Sequence, residues 1–73
     1  MFGPRKFHYL VDGLTDQRAA LIRRSLSVIP EIRSVQISVG RSTIEVEATR
    51  DVADQVRLAA DVAGAHYRTR ARI

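Results

Sequence analysis

The chain has no cysteine, and that absence excludes a disulfide framework, a thiolate nucleophile and any thiolate metal site. Tryptophan and asparagine are missing as well, and Lys6 is the only lysine. No apolar run approaches the roughly 20 residues that a bilayer span requires. The opening Met1-Phe2-Gly3-Pro4-Arg5-Lys6 shows no signal-peptide pattern, so a cytoplasmic location is expected. No P-loop, Ser-His-Asp ordering or glycine-rich phosphate cradle is present, since the four glycines stand apart at turn positions. The expectation is a protein that is not an enzyme.

What is present suits one small domain. Seventy-three residues at 45% hydrophobic content place residues 1–73 in a single unit near the lower size limit for a self-sufficient core. Residues 1–5 are expected to be flexible. Without staples, such a domain relies on regular packing or on a partner. The net charge of +4 comes mainly from arginine and permits contact with nucleic acid, anionic lipid or an acidic protein.

Alternation places Phe7, Tyr9 and Val11 on one side of a first strand and Lys6, His8, Leu10 and Asp12 on the other. Thr15 or Asp16 offers an N-cap, because a side-chain oxygen there can accept from an otherwise orphan backbone N–H. Ala19, Ile22, Leu26 and Ile29 then recur at helical spacing, flanked by Leu21 and Val28, until Pro30 stops the helix. Ile32, Val35, Ile37 and Val39 form a second strand. Ser42 to Ala48 forms a third, joined to the second across Gly40-Arg41 as a hairpin. Thr49 or Asp51 can cap a second helix with Val52, Val56, Ala59, Ala60 and Ala63 as its buried stripe, and Gly64 suits its C-terminal end. Ala65 to Arg72 is the last strand, with Arg68, Arg70 and Arg72 expected on one face.

The order β-α-β-β-α-β, with right-handed crossovers, predicts an α+β ferredoxin-like sandwich. Its four-stranded antiparallel sheet would run 4-1-3-2, with both helices on one face and the other face open.

The local sequence adds a resemblance. Val11-Asp12-Gly13-Leu14-Thr15 is similar to the Val-x-Gly-Met-Thr entry to the metal loop of heavy-metal-associated domains, the copper-chaperone-like family. Leu26-Ser27-Val28-Ile29-Pro30-Glu31-Ile32 is similar to that family's Leu-x-x-Leu-Pro-Gly-Val exit from the first helix. Between them the family carries Cys-x-x-Cys. Here the interval from Leu14 to Pro30 is one residue shorter, so counting from Gly13 puts the ligand positions at Asp16 and Ala19, and counting back from Pro30 puts them at Thr15 and Arg18. Neither register offers a soft ligand pair.

The resemblance, together with the missing thiolates, implies a small non-enzymatic binding module with a degenerate metal site. It would act through protein–protein contacts or self-association. The loop Leu14, Thr15, Asp16, Arg18 and Ala19 is one candidate contact site. The other is an open sheet face bearing Lys6, His8, Glu45, Glu47, Arg68, Arg70 and Arg72. No cofactor and no soft metal ion are expected. The alternative is a metal transport or detoxification protein with an unconventional site at Asp16 and His66, holding a divalent ion such as zinc weakly. Specific nucleic-acid reading is not expected, because the third strand displays Thr43, Glu45 and Glu47 where base-stacking aromatics would stand. Nonspecific phosphate contact through the arginines ranks third.

Overall fold

The computed structural model describes residues 3–71. Strand β1 (Arg5–Asp12) leads into helix α1 (Asp16–Ser27), then β2 (Ile32–Ser38) and β3 (Thr43–Ala48). Helix α2 (Ala53–Ala63) and β4 (His66–Ala71) complete the chain. All strand pairs are antiparallel and the sheet order is β2-β3-β1-β4, which is the expected 4-1-3-2 order. The fold is ferredoxin-like. Of the segment expected to be flexible, Met1 and Phe2 lie outside the described residues, and Arg5 is already paired with Ala48.

The alternation in β1 and β3 is realised as a buried face. Phe7, Tyr9 and Val11 pack with Ile44, Val46 and Ala48, and Ile22 and Leu26 of α1 and Val56, Ala59 and Ala60 of α2 close over them. Leu21 and Val28, the flanking apolar positions of α1, stay 49% and 78% exposed.

The helix ends follow local chemistry. Thr15 is the N-cap of α1, its Oγ1 accepting from the Arg18 N–H at 3.1 Å, a contact that typically contributes about 1 kcal/mol. At α2 the N-cap position is Val52, which has no side-chain acceptor. Asp51, one residue earlier, supplies it by accepting from the Ala53 N–H at 3.0 Å. Gly64 ends α2 at φ 92°, a left-handed conformation that glycine adopts without a Cβ clash. In the β2–β3 turn the left-handed residue is Ser42 (φ 57°), not Gly40.

One expectation fails in β4. Val11 pairs with Tyr67 and Leu10 with Thr69, so Arg68 is an extra residue in a bulge. A bulge reverses the alternation beyond it. Thr69 therefore stands opposite Leu10 on the open face, and Arg70 stands opposite Tyr9 on the helix side. Arg68 and Arg70 do not share a face, and Arg72 lies outside the described residues.

Candidate functional site

The loop between β1 and α1 is held by an arginine. Arg18, on the first turn of α1, turns back so that its Nη1 donates to the Gly13 carbonyl at 2.8 Å. The same guanidinium lies against the end of α2. A Cβ built on Gly64 would sit 3.4 Å from its Nε, and one built on Gly13 would sit 3.4 Å from its Nη1. Those are ordinary contact distances, and it is the positive φ of both glycines (77° and 92°) that disfavours side chains there. Arg18 thus bridges the two turns at this end of the molecule.

Around it, Leu14 is buried at the core margin, Thr15 caps the helix, Asp16 is exposed at its first position and Ala19 is half-buried. His66 is exposed and pairs with Asp12 across β1 and β4, while the Asp12 carboxylate lies 3.5 Å from Arg68 Nε. No hydrogen bond or ion pair links Asp16 with His66 among the described residues. Nor do any three His, Asp or Glu side chains there form a group able to hold a metal ion.

The open face of the sheet has its own centre. His8 Nε2 lies 3.0 Å from Glu45 Oε1, and Lys6 Nζ lies 3.8 Å from Glu45 Oε2. The His8 contact follows from register, which sets His8 opposite Glu45, while Lys6 stands opposite Glu47 and reaches Glu45 diagonally. Ser34 on β2 approaches Glu47 at 3.4 Å. His8 is largely covered, and its Nδ1 is buried with no hydrogen-bond partner among the described residues. A concavity of about 250 Å³ opens beside it, lined by Gln36, Ser38, Arg41, Thr43 and Glu45 among others.

A third cluster joins residues far apart in the chain. The Tyr9 hydroxyl donates to Asp51 Oδ1 at 2.8 Å and accepts from the Val52 N–H at 3.2 Å. Arg70 Nη1 donates to Asp51 Oδ2 at 2.8 Å. Burial, then the hydrogen bond to Asp51, pushes the Tyr9 phenol well above the ordinary tyrosine range. Tyr67, with its ring centroid 6.2 Å from that of Tyr9, is also raised, first by burial and then by the Asp51 charge. Asp51 was legible as a cap, but nothing in the local sequence ties it to Tyr9.

No family model and no curated protein matches the chain. Solved structures do. The N-terminal domain of ZntA in its apo-form superposes with a TM-score of 0.80 at 21% identity, over 90% of this chain and 92% of that one. Its Zn(II)-form gives 0.75 at 22% identity, covering 92% of each chain. The yeast copper transporter domain Ccc2a, described in apo and Cu(I)-loaded states, gives 0.79 at 18% identity over 93% of this chain and 96% of that one. The chain shares the fold of these domains.

That likeness corrects one expectation. No cofactor, or at most a weakly held zinc, was expected, yet the chain's neighbours include a Zn(II)-form and Cu(I)-loaded states. A scaffold shared with metal-binding domains does not support that expectation. The residues of this chain still do not fit a soft ion. The loop brings a guanidinium, a threonine hydroxyl already used as a cap and an isolated aspartate, with no sulfur. Among the described residues, no helix is long and apolar enough to cross a membrane.

Proposed function

We propose that this chain is a small non-enzymatic module that works by binding another protein through its open sheet face. The observation that carries this reading is the His8–Glu45–Lys6 group, held in fixed cross-strand register beside an open polar concavity. Rigid strands present these groups at defined spacing, and interspersed charges of both signs favour a partner of complementary pattern over a merely charged one.

The test compares variants in cross-linking from a native extract. Glu45→Arg removes the carboxylate shared by His8 and Lys6, while Asp54→Arg makes the same charge change on exposed α2. A partner cross-linked by the wild type and by Asp54→Arg, but about tenfold less by Glu45→Arg, is the expected result. Equal capture by both variants, or capture by neither protein nor variant, would remove the reading. Circular dichroism establishes that each variant is folded.

A second reading has the fold likeness to a Zn(II)-form in its favour. Here the chain presents a metal ion as cargo, with Asp16 and His66 at the loop end as donors. Titration with Zn(II) and Cu(I), followed by amide chemical shifts, tests it. Saturable shifts confined to the neighbourhood of Asp16 and His66 are its expected result, and their absence at millimolar metal ends it.

A further inference from the structure

The two edges of the sheet are not equivalent. The β4 edge carries the Arg68 bulge and the charged side chains of Arg68 and Arg70, devices that discourage strand addition. On β2 the irregularity is confined to its start, between Ile32 and Ser34. From Ser34 to Ser38 the edge is regular and carries no charge and no proline.

Hydrogen-bond parity tells which backbone groups this edge offers. The Val11 N–H donates to Ser42 O at 2.9 Å, and with the β1–β3 register this directs the backbone of Ile44 and Val46 toward β1. Thr43, Glu45 and Glu47 then bond to β2, through Ser38, Gln36 and Ser34. The N–H and C=O groups of Val35 and Ile37 are left pointing outward along the free edge. Their side chains are only half-buried against the core.

We propose that β2 is a self-pairing edge, joining a second copy of this chain in antiparallel register about a two-fold axis at Gln36. In that register Val35 exchanges backbone hydrogen bonds with Ile37 of the other copy, satisfying the outward groups of both. Ser34 stands opposite Ser38, Gln36 opposite itself and Arg33 opposite Val39, so no like charges face each other. The pairing also sets Glu31, just before β2, toward Arg41 just after it. The half-exposed Val35 and Ile37 side chains cover each other on the helix side, and two four-stranded sheets become one. The pairing runs along the sheet edge and leaves the His8–Glu45–Lys6 group uncovered, although Gln36 belongs to both the edge and the concavity beside that group.

Charge exchange at Gln36 tests the idea. Gln36 is exposed and stands opposite Glu45 on β3. Gln36→Lys and Gln36→Glu therefore spare the core but also alter the charge beside Glu45, and recovery in the mixture of the two separates that local effect from pairing at the axis. Sedimentation of the wild type up to about 1 mM should show a species of twice the 8.2 kDa chain mass. Each variant alone should associate about fivefold more weakly, since like charges meet at the axis, and an equimolar mixture of the two should recover association. Amide exchange gives an independent readout: Val35 and Ile37 should gain protection as concentration rises, while Gln36, bonded to β3, should not change. A wild type that stays monomeric at 1 mM, or a dimer indifferent to both substitutions, overturns the proposal.

Discussion

Leu26→Ala should lower stability by about 3 kcal/mol, measured as a drop in the urea midpoint at unchanged slope. Leu26 sits in the last full turn of α1 with no exposed surface. It is one of only two residues of that helix that are fully buried. Removing its side chain loses the transfer free energy of the missing atoms and leaves a cavity that neighbours on two elements cannot readily fill. Typical stabilities per residue put a chain of this length at roughly 4–11 kcal/mol in total, so the loss takes a large fraction of it. Leu21→Ala on the same helix is the internal control. That side chain is half-exposed, and its removal should cost well under half as much.

The second large effect belongs to Asp51. Asp51→Ala removes the acceptor for the Ala53 N–H at the start of α2, the acceptor for the Tyr9 hydroxyl and the partner of Arg70. The cap is worth about 1 kcal/mol and the Tyr9 bond about 1 to 1.5. The pair with Arg70 adds little, because both side chains are more than 40% exposed. A loss of about 2–3 kcal/mol follows, read from the same urea curves. Tyr9→Phe should cost about 1–2 kcal/mol by leaving the buried Val52 N–H without its acceptor. The two substitutions should be less than additive in a double-mutant cycle, since each removes the same Tyr9–Asp51 bond.

That network also fixes a pH dependence. The Tyr9 phenol titrates higher in the folded chain than in the unfolded one. Its contribution is therefore fully present below the unfolded tyrosine value of about 10 and is lost as pH rises above it toward the folded value. Wild-type stability should fall above about pH 10 more steeply than that of Tyr9→Phe, which retains only the smaller contribution of Tyr67.

The order of elements and the buried faces were legible because each rests on local patterning. Phe7, Tyr9 and Val11 alternate over a single strand, Ile22 and Leu26 recur at helical spacing, and Pro30 and Gly64 mark helix ends. The Arg68 bulge was not legible, because Arg68-Thr69-Arg70 alternates as smoothly as an unbroken strand. Its cause lies in pairing with β1, a tertiary property. The Tyr9–Asp51–Arg70 cluster escaped for the same reason, its members being 42 and 19 residues apart. In the loop, sequence located the positions where the resemblance puts ligands, but not that Arg18 would fold back onto Gly13 and the end of α2.

The bulge has an electrical outcome. With Arg70 turned to the helix side, the described residues of the open face set Lys6, Arg41 and Arg68 against Asp12, Glu45 and Glu47. Much of the chain's net charge of +4 is therefore carried away from that face, including Arg18, Arg23 and Arg24 on α1. The sheet side thus adds little net charge of its own to the attraction of a partner. Added salt, which screens fields beyond about 8–10 Å, should therefore change the rate of encounter there little and act mainly on the short-range charge pairs made with a partner.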